Sequence, residues 1–387
     1  MKKFKLFPLF ILITTFHVFN IVAQDTTYAR QIIKKLTSPD LLGRGYVKNG
    51  VNKSASILLK EMKQIGLLKF GESYTQTYHF DVNTFPGKMS IILNERELIA
   101  GKHFLIYPSA TSKKITYQLI KTDSVTYHSI VDASKEPIII KLKKKLTYTV
   151  ATATSSITTI ELLKDSFPIN LKSIALDFEN KFIPNFKCQN LCSYIKGTEQ
   201  PDTFIVFTAH YDHLGAMGEK TYFPGANDNA SGVSVLLNLM KYYQKKPLKY
   251  SVAFIFFSGE EAGLLGSKYY AEHPLFPLSN IKFLTNMDLL GTGDDGIMVV
   301  NATVFKDQFE KLNAINKEKN YVKIIKQRGK AANSDHYWFT EKGVPSFFIY
   351  TMGGIQAYHD IYDIEKTLPL TDYADVFKLL TEFIEKL

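Results

Sequence analysis

The sequence predicts an α/β protein with a mixed, largely parallel sheet, helices on both faces and a small β-rich insert. Three observations carry that prediction. After Asn185, buried-type apolar runs alternate with helical patterns over short links, the texture of a sheet covered on both faces. Between Val51 and Leu67, apolar residues fall at Val51, Ala55, Leu58, Leu59, Met62 and Ile65, the spacing of a helix with one buried face. From Lys88 to Ile183 the chain turns to Ile, Thr, Tyr and Lys in short alternating stretches, the pattern of strands.

A helix is expected over Thr26–Leu36, followed by the turn Leu42-Gly-Arg-Gly45, and a strand and turn over residues 74–87. Within the β-rich part, Ser90–Leu93, Lys114–Ile120 and Leu146–Thr152 read as strands. The run Lys141-Leu-Lys-Lys-Lys145 reads as an edge strand guarded by lysines. Further on, Phe204–Thr208, Val252–Phe257, Phe283–Met287, Ile297–Val300 and Ser346–Tyr350 read as buried strands. Ser231–Tyr243, Glu260–Glu272, Lys306–Lys319, Ser334–Lys342 and Thr371–Leu387 read as helices.

The expected organisation has four parts. Residues 1–23 form a signal peptide, 24–87 the first part of the main domain, 88–183 the β-rich insert or accessory domain, and 184–387 the catalytic core. The leader rests on the basic start Met1-Lys-Lys-Phe-Lys5, the apolar stretch Leu6–Ala23 and the change to Gln24-Asp25. An uncleaved anchor is the alternative, since about 18 apolar residues nearly span a bilayer. Cleavage would remove three Lys and no acid, lowering the formal charge from +10 to +7. The protein is then exported, to the periplasm or the medium, with no stable membrane insertion after the leader is removed.

Composition excludes several classes. With 28 Phe and 22 Tyr among 387 residues, the chain is not disordered. Two cysteines make no disulfide scaffold. In a strand Cys188 and Cys192 would sit ~13 Å apart, too far to bond; a turn would allow a bond, and two free thiols are the expectation. The positive charge is spread along the chain without a nucleic-acid motif.

The chemistry gathers at strand ends, where α/β sheets place their sites. The Phe204–Thr208 run leads into Ala209-His210-Tyr-Asp212-His213. Pro224-Gly-Ala-Asn-Asp228-Asn-Ala-Ser-Gly232 precedes a helix. Val252–Phe257 leads into Ser258-Gly-Glu260-Glu261, and Phe283–Met287 into Asp288. Beyond Ser346–Tyr350 comes Tyr358-His359-Asp360. Singly, each is ordinary: an Asp before a helix is usually an N-cap and paired Glu at a helix start usually serve its dipole. Together, two His and three carboxylates offer the mixed N and O donors that suit zinc. Five donors exceed one catalytic zinc and fit two metals if a carboxylate bridges them. Adjacent Glu260 and Glu261 point different ways, so one can bind metal while the other faces the activated water and moves its proton. Asp212, two residues after His210, could orient its imidazole.

These motifs, with Asn286-Met-Asp288 and Ser334-Asp335-His336, resemble the signatures of the co-catalytic di-zinc aminopeptidase family (peptidase family M28, clan MH exopeptidases). The resemblance covers residues 186–387 strongly and 24–87 loosely. It implies the phosphorylase/hydrolase-like fold and two zinc ions bridged by Asp228, with a strained peptide bond to Asn229. It implies that His210 and Asp288 complete one metal and Glu261 and His359 the other. Glu260 would be general base and acid, and Asp212 the orienting group. Asp335, His336 and Tyr358 are candidates for contact with substrate or for support of the ligands, with a helix N-cap as the alternative for Asp335. His213 is read as a surface or structural residue, with support of a metal ligand as the alternative, and Asp363 as an anchor of the His359 loop.

The function expected is a secreted zinc exopeptidase, an aminopeptidase acting on peptides through a bridging hydroxide and a Glu base. A carboxypeptidase is disfavoured by the scarcity of Arg, with only Arg30, Arg44, Arg96 and Arg328. Glutaminyl cyclases and other non-peptide amidohydrolases of this fold stay open as alternatives, as does a non-catalytic binding protein.

Overall fold

The computed structural model describes residues 25–130, 136–167 and 170–387; the expected signal peptide lies outside them. Two eight-stranded sheets organise the chain. The first runs in the order Thr75–Thr84, Lys181–Ile195, Tyr250–Phe257, Gln200–His210, Ile281–Met287, Ser346–Thr351, Ile297–Val300, Ile325–Gln327. Its four central strands are mutually parallel, and antiparallel pairs appear toward both edges.

The central strands are apolar on both faces because both faces are covered. In Tyr250–Phe257, Val252, Phe254 and Phe256 join one core, while Ala253, Ile255 and Phe257 join the other. This is the two-residue period of a pleated strand. Helices Thr26–Leu36, Gly50–Ile65, Gly232–Lys245 and Tyr373–Glu385 feed the first core. Leu265–Glu272 and His336–Glu341 supply Tyr270 and Phe339 to the second. Each fully buried Phe, Ile or Val side chain contributes roughly 1.5–3 kcal/mol.

The second sheet is built from strands within residues 89–178 and has its own core, including Ile91, Phe104, Tyr127, Ile140, Ile160 and Ile174. Three expectations are corrected here. Ile138–Lys143, which carries the first lysines of the 141–145 run, is an interior strand paired to Thr126–Ile130 and Thr158–Leu163. Its lysines are only partly covered, so an interior position and solvated amines coexist. Residues 146–150 form no strand. The helix expected from Glu260 begins at Leu265, after a turn in which Gly259 and Gly263 take positive φ of 69° and 108°.

Cys188 and Cys192 lie buried and unbonded in the Lys181–Ile195 strand. Among the described residues, no helix is long and apolar enough to cross a membrane.

Candidate metal centre

Parallel register brings the strand ends to one edge of the sheet. His210 pairs with Phe257, Thr208 with Asn286, and Met287 with Ile349. The residues that follow these positions, Glu260, Glu261 and Asp288, therefore gather around His210. The loop Gly225–Ser231 lays Asp228 across the same edge, and the Asp228–Asn229 peptide is cis.

His210 Nε2 lies 3.3 Å from Asp228 Oδ1 and 3.4 Å from Asp288 Oδ1. His359 Nε2 lies 3.2 Å from Asp228 Oδ2 and 3.3 Å from Glu261 Oε2. Asp228 thus offers one oxygen to each histidine. The five candidate ligands, His210, Asp228, Glu261, Asp288 and His359, converge as two sets sharing one carboxylate. His210 Nε2 and Asp288 Oδ1 are buried without a hydrogen-bond partner, an arrangement a cation would satisfy.

Charge points the same way. Asp212, Asp228, Asp288, Asp335 and Asp363 are all buried, with Glu260 and Glu261 beside them. Burial raises Glu260 well above the ordinary carboxylate range; His210 opposes this, while Glu261, Asp335 and Asp288 add to it. Burial likewise raises Asp288 and pushes Asp335 up to about 7. Asp228 goes the other way: burial opposes ionisation, but His210 and His359 hold its carboxyl well below the usual range. For His359, burial is outweighed by Glu261 and Asp228, which lift it to about 9. A crowd of buried carboxylates with few cations fits divalent metal chemistry.

Several side chains hold the ligands in place. Asp288 Oδ2 accepts from Ser334 Oγ at 3.3 Å; Asn286 Nδ2 donates to Ser334 Oγ at 2.8 Å, and Thr208 Oγ1 donates to Asn286 Oδ1 at 2.6 Å. Asp363 accepts from the amides of Asn227 and Asp228 at 2.8 and 3.0 Å. The Asp212 carboxylate stands 3.8 Å from His210 Nδ1, whereas its backbone carbonyl is at 3.2 Å. That carboxylate accepts instead from Tyr46 Oη at 2.8 Å and from the Glu260 and Glu261 amides at 3.3 and 3.4 Å. It therefore ties the Glu-Glu turn to the His210 strand.

The surface reading of His213 is overturned. Its side chain is buried, and Nδ1 lies 2.7 Å from Glu261 Oε1. With Asp228 and Glu261 it forms a second cluster of metal-capable atoms, beside that of His210, Asp228 and Asp288. Asp335 flanks the His336–Glu341 helix without a side-chain cap bond, and both ring nitrogens of His336 are buried and unpartnered. Tyr358 stacks on His359 at 4.0 Å.

Sequence reasoning missed Arg44. Its guanidinium is fully buried and donates to the carbonyls of Leu36, Tyr211, Pro224, Gly225 and Asp228 at 2.6–3.1 Å. It meets no carboxylate directly; burial lowers it to about 10 against the pull of Asp228, Asp363 and Asp212. A lone Arg in a Gly-rich turn carries no spacing signal that could have revealed this.

The cleft above the ligands has a volume of about 210 Å³. It is lined by the charged or ligating Asp228, Glu260, Glu261, Asp288 and His359 and by Leu289, Asn333, Phe348, Tyr350 and Tyr358.

Comparison with known proteins bears on the fold and the family. Aminopeptidase YwaD of Bacillus subtilis is 31% identical over 158 residues, 39% of this chain and 32% of that protein. A probable zinc metalloprotease of Leptosphaeria maculans is 32% identical over 114 residues, 28% of this chain and 26% of that one. The match thus spans about a third or less of the length of these curated relatives. The structure of BSAP, a zinc aminopeptidase from Bacillus subtilis, superimposes with a TM-score of 0.69 at 18% identity, covering 94% of this chain and 95% of that one. A peptidase M28 precursor from Shewanella amazonensis SB2B gives 0.72 at 13%, covering 93% and 92%. The model of Peptidase family M28 matches residues 190–384, and the chain belongs to that family.

Proposed function

We propose that the protein is an exported zinc aminopeptidase that removes N-terminal residues from peptides using two zinc ions. The carrying observation is the make-up of the cleft. Its charged lining is four carboxylates and a histidine, with no Lys or Arg. Two bound dications would offset those carboxylates, but the lining offers no guanidinium or ammonium to clamp a substrate's C-terminal carboxylate. Arg44, the arginine nearest the ligands by its contacts, is spent on backbone carbonyls. Leu289, Phe348, Tyr350 and Tyr358 offer an apolar wall for the first side chain.

His210 and Asp288 would hold one ion, Glu261 and His359 the other, and Asp228 both. Bound there, the ions supply water activation and polarisation of the scissile carbonyl. The chain does the rest. Glu260, held by its amide to Asp212, takes the proton of the attacking water. As the C–N bond breaks, it returns that proton to the leaving nitrogen, giving a free amino acid and a peptide one residue shorter. Tyr358, stacked on His359 at the rim, is placed to touch the substrate, while Asp335 lies buried near Glu260 and shares its charge environment. The basic and apolar N-terminal stretch supports export to the periplasm or medium.

The test uses a free-amine peptide and its N-acetylated twin, each with and without a zinc chelator, with products identified by mass. Stepwise N-terminal trimming of the free peptide alone, stopped by chelator, is the expected result. Trimming of both peptides from the C-terminus would replace the reading with a carboxypeptidase. No cleavage of either would overturn the peptidase reading.

A further inference from the structure

His359 is the most weakly embedded of the five candidate ligands. It sits in an irregular loop at φ 54°, and its side chain keeps 13% of its exposure against 1% for His210. With Nε2 facing Asp228 and Glu261, the ring must present an unprotonated Nε2 to a metal, so Nδ1 carries the proton. That proton needs an acceptor, and the core domain does not provide it. Nδ1 lies 2.9 Å from the backbone carbonyl of Tyr148, in the β-rich domain. The exchange is reciprocal, because the Tyr148 amide donates to the His359 carbonyl, also at 2.9 Å.

Tyr148 is itself fixed. Its ring is buried in the β-rich core and stacks on Phe223, centroids 4.7 Å apart and 12° from parallel. Three residues earlier, Lys145 Nζ donates to the Gln356 carbonyl at 2.6 Å and pairs with Asp360 at 3.3 Å. Asp360 in turn accepts from the Tyr358 and Tyr362 amides, closing the turn around His359.

We propose that the β-rich domain serves the metal centre directly: Tyr148 is a positioning residue that fixes the tautomer and pose of His359, and so sets the affinity of the metal held by His359 and Glu261. The inference rests on the two-zinc reading. A hydrogen bond to the far nitrogen of a ligating imidazole orients the ring and raises its basicity, and losing such a partner weakens metal affinity about 10- to 100-fold. Both backbone groups of Tyr148, which a strand would pair with its neighbour, go to His359 instead.

The experiment is a competition titration of the metal-stripped full chain with zinc against a chromophoric chelator, fitted for two sites. Tyr148→Gly frees the backbone and removes the stacked ring; Tyr148→Phe keeps the ring. Expected is one site unchanged and the other weakened about 10- to 100-fold in Tyr148→Gly, with Tyr148→Phe matching the wild type. A folded Tyr148→Gly with both affinities unchanged, or both lowered alike, overturns the proposal. Should that variant not fold, Lys145→Ala, with its exposed amine, replaces it. It should weaken the same site about two- to five-fold, the scale of an exposed ion pair, and two wild-type affinities would overturn the proposal. A wild-type chain that binds fewer than two zinc ions refutes the two-metal reading itself, whatever the variants do.

Discussion

The two halves of the candidate centre are built differently. His210 and Asp288 stand at the ends of neighbouring parallel strands whose register is set by a buried, two-faced core. Behind Asp288 runs a chain of hydrogen bonds through Ser334, Asn286 and Thr208. Glu261 and His359 stand on a turn and an irregular loop, held by Asp212, by His213 and by Tyr148 beside the second sheet. A strand-end ligand is placed by the same packing that folds the protein. A loop ligand is placed by a few hydrogen bonds, each removable without unfolding the sheet. The first half is therefore preformed, and the second is adjustable.

Asp228 belongs to both halves, so its loss should have the largest effect. Asp228→Ala should lower zinc content from two ions to less than one and reduce turnover to background. Metal analysis after gel filtration checks it; two retained ions would break the comparison at its shared point. Next comes Glu260→Gln, which touches neither half's ligand set. It should keep both zinc ions and lose about 10²–10⁴-fold in rate. Near-wild-type turnover would remove Glu260 from the proton path.

Arg44→Met probes what joins the halves. Five carbonyls from three segments lose their donor, and a buried unsatisfied group costs about 1–3 kcal/mol. Relaxation and water entry offset part of the sum, leaving a loss of about 3 kcal/mol or more in unfolding free energy. Denaturant titration reads it directly. Arg44→Lys should recover only part, since an ammonium has three donors and no planar fork. A change below about 0.5 kcal/mol in Arg44→Met would show that the guanidinium does not organise the Asp228 loop.

The preformed half was legible in the sequence and much of the adjustable half was not. Apolar runs ending in His210 and Asp288 announce themselves because a doubly covered strand must be apolar and its ligand must follow at once. The loop half depends on contacts between residues far apart in the chain. Nothing in the alternating 146–152 stretch says that its backbone will bond to residue 359 rather than to a strand. Nothing near Glu260 says that Asp212 will take its amide, and with Gly259 delay the helix to Leu265. His213 reads as a surface or structural residue before it reads as support for a ligand, because its burial comes from a turn, which has no period. The lysines of 141–143 mislead for another reason: long side chains can lie along a sheet and still reach water, so they do not distinguish edge from interior.

The smallest expected effect lies behind the preformed half. Asp372 precedes the Tyr373–Glu385 helix and leans on the 291–294 loop that follows Asp288; its amide donates to the Thr292 carbonyl. Burial first, then the Asp375 and Asp294 carboxylates, push its carboxyl up to about 6. An acid whose folded pKa is raised binds its proton more tightly when folded. Its stability contribution is full in acid, is lost as pH rises from about 4 to about 6, and stays lost at pH 7. The side chain is only partly buried, so screening reduces the cost to about 1 kcal/mol or less. Asp372→Asn keeps a good helix-capping type and removes the charge. It should match the wild type near pH 3.5 and be more stable at pH 7 by up to that amount. Paired thermal melts at the two pH values measure the difference, and any zinc linkage common to both proteins cancels. Because the ligands of the first half are placed by the sheet rather than by this helix end, neither zinc affinity should move. A gain in stability accompanied by a shift at the His210–Asp288 site would mean that the preformed half is adjustable too.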